Sequence, residues 1–148
     1  MKQYFQNLKS QLQTVGALRT VDAAWGQLNY EQPPVKFPCA LIDMNSTSIA
    51  QVKPNQTRIH ADINITVADI RYNLNPADSF NIFDVVEQVI EALMDWTDGR
   101  FTRLTLANIS PVTSVPGFCA YVLTFNTIFG IVPPETAAET EPETTDQE

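Results

Sequence analysis

The chain has little of what most protein chemistry is built from. It holds one histidine, two cysteines, five glycines and nine basic residues among 148. Each shortage removes a class of function. None of the glycines is spaced to form a loop that cradles phosphates. Cys39 and Cys119 sit in separate apolar runs, a spacing that suits neither a zinc site nor a redox pair, so both read as buried free thiols. One histidine, two isolated cysteines and dispersed carboxylates, four of them on a helix face, give no recognisable metal-ligand set. No Gly-x-Ser-x-Gly motif and no patterned Cys–His pair is present. Basic residues form no run, and Trp25, Tyr30 and Trp96 are too scattered for a base-stacking platform, so nucleic-acid binding is not expected. No window approaches the ~18 consecutive apolar residues of a spanning helix. The opening "MKQYFQNLKSQLQ" lacks the apolar stretch of a secretion signal, and an intracellular origin is expected. On that reading the Asn-x-Ser/Thr matches at Asn45, Asn55, Asn64 and Asn108 carry no acceptor meaning.

What is present describes a lightly charged globular domain, 44% hydrophobic and 18% charged. A chain of this length forms one domain and buries roughly 70% of its unfolded surface. The net charge of −8 is unevenly placed. Residues 133–148, "PPETAAETEPETTDQE", hold six of the 17 acidic groups and no basic one. The body therefore sets eleven acidic against nine basic groups, close to neutral. The tail has no large apolar side chain to offset the entropy of ordering and is expected to be disordered unless bound. The organisation expected is a single domain over 1–132 and an acidic, proline-containing tail over 133–148.

Hydrophobic periodicity places the elements. Met1, Phe5, Leu8, Leu12 and Val15 recur at helical spacing and predict an amphipathic N-terminal helix ending near Gly16. Residues 17–38 read as an irregular connector, closed by Pro33, Pro34 and Pro38. "CALIDM" (39–44) reads as a buried strand, and 45–57 as a polar loop or short hairpin arm. "RIHADINITVADI" (58–70) alternates apolar with polar, a half-buried strand. After a turn containing Pro76, Ser79 is a plausible N-cap for a helix over 80–96. That helix puts Ile82, Val86, Val89 and Leu93 on one face, widened by Phe83, Ile90 and Met94, and closes at Gly99. Strands over 100–110 and 118–131 follow, the second apolar on both faces, with a turn between them at 111–117. The fold class expected is α+β: an antiparallel sheet of about four strands with both helices packed on one face.

Two constellations could carry function. Arg58, His60, Asp62 and Asn64 share one face of the alternating strand. As a reaction centre this row is weak, because side chains two apart on a strand stand roughly 7 Å apart. A polar outer sheet face explains the alternation with fewer assumptions. Asp84, Glu87, Glu91 and Asp95 form an acidic stripe on the long helix, either a solvated face or one turned to a channel lumen. No catalytic, metal or cofactor residue is assigned, and the chain is not expected to be an enzyme.

The order of elements resembles the tail terminator, or tail completion, proteins of long-tailed bacteriophages. The matching features are "YFQNLKSQLQTV", the proline-led "PCALIDM", "RIHADINITVADI", "SFNIFDVVEQVIEALMDW", and the closing pair "FTRLTLANIS" and "FCAYVLTFNTIF", together roughly residues 1–131. The resemblance implies a structural subunit of a homo-oligomeric ring, typically six copies. Such a ring caps the tail tube and meets the head connector or neck proteins. DNA passes through its acidic lumen without sequence-specific binding, and no membrane or cofactor is involved. Its place would be the virion tail or neck, assembled in the host cytoplasm. Arg58, His60, Asp62 and Asn64, with Lys53 and Asn55 of the arm, are then expected at interfaces. Asp84, Glu87, Glu91 and Asp95 would line the lumen or meet solvent, and the acidic tail would dock on a partner. The alternatives are a head–tail joining protein of similar fold and a small ligand-binding domain or enzyme using the His60/Asp62 face.

Overall fold

A computed structural model describes residues 2–54, 56–70, 81–99, 102–112 and 118–131. Along the chain come α1 (Lys2–Leu12), β1 (Thr20–Ala23), a 3-10 turn at Gln27–Asn29, β2 (Cys39–Lys53), β3 (Gln56–Ile70), α2 (Asn81–Leu93), β4 (Thr105–Val112) and β5 (Phe118–Ile131). The five strands form one sheet in the order β1-β2-β3-β5-β4. β2, β3, β5 and β4 are antiparallel to their neighbours, and β1 runs parallel to β2.

The expected four-stranded antiparallel sheet is therefore corrected to a five-stranded mixed one. β1 lies inside the stretch read as an irregular connector. Four residues are too few to show a period, and Pro33, Pro34 and Pro38 all follow the strand. A parallel neighbour needs a long crossover, and residues 24–38 supply it. Of the two readings of 45–57 the loop is corrected and the stretch is a hairpin: β2 continues through the polar residues to Lys53, and Gln56 of β3 pairs with it. Bulges between Ser46 and Ser48 and between Gln51 and Lys53 break the alternation that would reveal the strand.

Alternation in β3 is realised from Arg58 to Val67. Ile59, Ala61, Ile63, Ile65 and Val67 are buried beneath the helices. α2 adds Ile82, Val85, Val86, Val89 and Leu93, and β5 adds Leu123 and Phe125. On α1 the buried ridge is Tyr4, Leu8 and Leu12, with Phe5 only partly covered. Tyr4 escapes the apolar spacing because its phenol is a polar group at a core position. Burial pushes its hydroxyl above the usual phenol range, the neighbouring Asp98 adds to this, and a hydrogen bond with Thr127 opposes it. Side-chain bonds tie α1 to α2 and the turn after it: Asn7 Nδ2 donates to Asp98 Oδ2 (2.7 Å) and Gln11 Nε2 to the Ala92 carbonyl (2.8 Å).

α2 stops at Leu93, three residues before the expected end. Asp95 takes the left-handed conformation (φ 61°) expected of Gly99, and its N–H donates to the Leu104 carbonyl at 3.1 Å. An aspartate tolerates this region better than most residues. Gly99 is also left-handed, but it serves the turn that follows, where its N–H donates to Thr97 Oγ1. Phe83 and Met94, expected to widen the apolar face, are 44% and 41% exposed; Phe83 rests against the Tyr121 ring, with centroids 5.6 Å apart. Trp96 packs at the edge of the core. Ser79, Pro76, residues 113–117 and the tail lie outside the described residues.

A second, smaller cluster covers one end of the other sheet face. Cys39, Leu41, Ala68 and Ala120 are buried there under Leu28, Val35, Phe37 and Val112. The crossover lies over this end. Gln27, 1% exposed, holds it in shape: its Nε2 donates to the Ala23 carbonyl (2.7 Å) and its Oε1 accepts from the Trp25 N–H (2.8 Å). Thr20 Oγ1 accepts from the Lys36 N–H (2.9 Å), and the Phe37–Pro38 peptide is cis.

Candidate interaction surface

The crossover leaves the other end of that sheet face open, and the predicted row lies there. Arg58 is exposed; His60, Asp62 and Asn64 are half-buried. Register explains the difference: Arg58 lies between Ala50 and Gly130, which offer little side chain to cover it, whereas the half-buried members have larger neighbours. His60 pairs with Ser48 and Ile128, Asp62 with Asn45 and Asn126, and Asn64 with Asp43 and Thr124. Asn64 Oδ1 accepts from Thr124 Oγ1 at 2.8 Å. The face is thus polar across three strands at this end. β5, expected to be apolar on both faces, contributes Thr124 and Asn126 to it.

The segment before β4 turns this face into a recess. The Thr102 N–H donates to the Ile128 carbonyl (2.8 Å), the Ile128 N–H to Thr102 Oγ1 (2.9 Å), and Thr127 Oγ1 to the Thr102 carbonyl (2.8 Å). These bonds extend the sheet by one strap and bring Arg103 to the rim. The resulting open recess, about 340 Å³, is lined by His60, Asp62, Thr102, Arg103, Thr105 and Asn126. Sequence reasoning finds His60 and Asp62 and misses the rest. The period-two pair Thr124 and Asn126 in "LTFNT" is the available signal for β5. Nothing in the sequence places Arg103 beside His60, because that proximity is tertiary.

The remaining expected residues fall elsewhere. Lys53 ends β2 at the hairpin turn, opposite Gln56, and Asn55 lies outside the described residues. Asp84, Glu87 and Glu91 are exposed on α2, on the helical side of the molecule and away from the row. Asp95, also exposed, follows the helix end, so the helical part of the stripe has three members rather than four. Lys9 Nζ approaches Asp22 Oδ1 at 4.0 Å, a partly exposed pair worth little. Trp25 and Tyr30, scattered in sequence, meet edge to face with centroids 5.9 Å apart, both well exposed.

Among the described residues no three His, Cys, Asp or Glu side chains converge as a metal site would require, and no helix is long and apolar enough to cross a membrane. Cys39 and Cys119 are free thiols. Burial, with a smaller contribution from the Asp69 charge, pushes the Cys39 thiol up to about 12 against an opposing backbone hydrogen bond from Ala68. Cys39 is therefore a packing residue and not a nucleophile.

No protein-family model matches the chain, and no curated protein matches it. Among solved structures it is similar to a chain of the virion of a native gene transfer agent particle, with a TM-score of 0.54. The likeness covers 83% of this chain and 91% of that one at 13% identity. What the two share is a fold: helices on one side of a predominantly antiparallel sheet.

Proposed function

We propose that the protein is a structural subunit of a virion, and more narrowly a tail terminator. Copies form a closed ring, six on the family pattern, at the end of the tail tube, and offer a surface to the head connector or neck proteins. The observation that carries this reading is the fold likeness to a chain of a virion particle, which takes in nearly the whole of that chain. Two features support it. The polar sheet face spans three strands and is only half covered, as a surface completed by another protein would be. Asp84, Glu87 and Glu91 are exposed together; turned to a lumen they would repel the DNA backbone and let it slide. A head–tail joining protein shares this support and differs in ring number and neighbours.

A second reading rests on the recess. Polar groups from β3, β5 and the strap converge there, which is the geometry of a small ligand site. Its openness to solvent weighs against it.

Native mass spectrometry of the full chain over a wide concentration range separates the readings. A discrete closed oligomer near six copies is expected. A monomer that gains mass only with small polar ligands would replace the ring with the recess.

A further inference from the structure

Among the described residues the sheet has two open edges. β1 covers β2 from Cys39 to Ile42, and the Ala24 N–H on the Ile42 carbonyl (2.8 Å) is the last bond on that side. From Asp43 to Lys53 the outer edge of β2 has no described partner strand. β4 pairs with β5 on one side and has no described strand on the other. Open edges are templates for pairing with another chain.

The registers determine which backbone groups face outward. The Ile42 carbonyl points to β1, so Ile42 and its partner Ile65 form a non-hydrogen-bonded pair, and Ile65 bonds β5 instead. Ile59 lies six residues back on unbulged β3 and does the same. Ile49, opposite Ile59, therefore turns its N–H and C=O to the open edge. On the far side Leu123 bonds Ile65, so Ile109, opposite Leu123, turns its backbone to the open edge of β4. Ile59 and Leu123 are buried on the helix-covered face, and Ile49 and Ile109 share that face with them. Yet Ile49 is 64% and Ile109 45% exposed.

Strand direction completes the match. β2, β3, β5 and β4 alternate, so β4 runs opposite to β2. Two copies placed side by side with their helices on the same side therefore meet β4 to β2 in antiparallel fashion. Setting Ile109 opposite Ile49 places Thr105 opposite Lys53 and Val112 opposite Ser46. All eight residues of β4 then fall inside the stretch that β1 leaves open. Pro111, which has no N–H to give, falls at Thr47, the extra residue of the β2 bulge, where the ladder is interrupted in any case.

We propose that β4 of one copy adds to the open edge of β2 in the next, Ile109 against Ile49, so that the sheet runs on from subunit to subunit. The two edges differ, so the contact is head-to-tail, the type that builds a ring where the rotation between subunits closes and a filament where it does not. The inference deepens the ring reading and rests on it: it names the contact.

Cysteine pairing tests it. Hydrogen-bonded antiparallel partners have Cα atoms about 5.5 Å apart, within disulfide reach. Under mild oxidation the full-length Ile49→Cys/Ile109→Cys variant should give a covalent ladder of three or more subunits on a non-reducing gel. Each single variant should stay uncrosslinked beyond the wild-type background. As a check against misfolding, Ile109→Lys should lower the native mass of the assembly without changing the far-UV spectrum. Dimers from Ile49→Cys alone would mean that like edges pair, and would overturn the proposal. A closed oligomer in native mass spectrometry with no ladder would overturn this contact while leaving the ring. A strict monomer with no ladder would overturn both.

Discussion

Gln27→Ala is the most informative single perturbation of the fold. The side chain is buried and satisfies two backbone groups of its own loop, the Ala23 carbonyl and the Trp25 N–H. Removing it strands one donor and one acceptor, at about 1–3 kcal/mol each when buried. Both bonds are only part-buried, so water can recover some of that cost. The expected loss is about 2–3 kcal/mol, read as a lower urea midpoint at unchanged slope. Gln27→Leu nearly preserves the volume and isolates the hydrogen bonds. A second readout is local. The crossover held by Gln27 covers Cys39, whose thiol is pushed up to about 12. At pH 8 roughly one such thiol in ten thousand is ionised, against about one in ten at the ordinary value of 9.0. Labelling of Cys39, located by peptide mass, should therefore be slow in the parent and much faster in Gln27→Ala. A variant within about 0.5 kcal/mol of the parent, with Cys39 still inert, would refute the view that this amide organises the crossover.

Other outcomes follow from the same geometry. In the unfolded chain the Cys39 thiol ionises near 9.0, while the folded chain holds its proton to about 12. The folded state thus binds more protons in between, and its advantage is complete below about 9 and lost as pH rises toward 12. Denaturation between pH 9 and 11 should show a steep loss of stability that Cys39→Ala makes shallower; an unchanged slope would contradict the burial argument. Leu8→Ala removes a fully buried side chain between α1 and the sheet and should cost about 2–5 kcal/mol by denaturant titration. His60→Ala should leave assembly and folding nearly unchanged, whereas a recess that binds ligand would lose its affinity. Deleting residues 132–148 should weaken assembly if the acidic tail clamps a neighbour, and rings of undiminished stability would reject that role.

Long periodic segments are legible in the sequence. The alternation of 58–70 yields β3 and, from Ile59 to Val67, its burial residue by residue, and the spacing of Ile82, Val86, Val89 and Leu93 yields the buried face of α2. What escapes does so for physical reasons. β1 is too short for a period. Bulges scramble the alternation of β2 beyond Asn45. Asp95 does a job that composition assigns first to glycine, so the helix ends earlier than its glycine suggests. The polar row is visible, but the recess it borders depends on Thr102 bonding to Ile128, a contact between segments far apart in the chain. The open edges are invisible for the same reason, since strand order and register decide which backbone groups lack partners.

The most direct test of the account is electron microscopy of the purified full-length protein, with class averages taken without imposed symmetry. The account predicts closed rings of about six subunits with an open centre, the number being that of the tail terminators the chain resembles, and the head-to-tail contact between unlike edges being one that permits closure. Isolated globular particles at every concentration, or two-fold dimers, would contradict it.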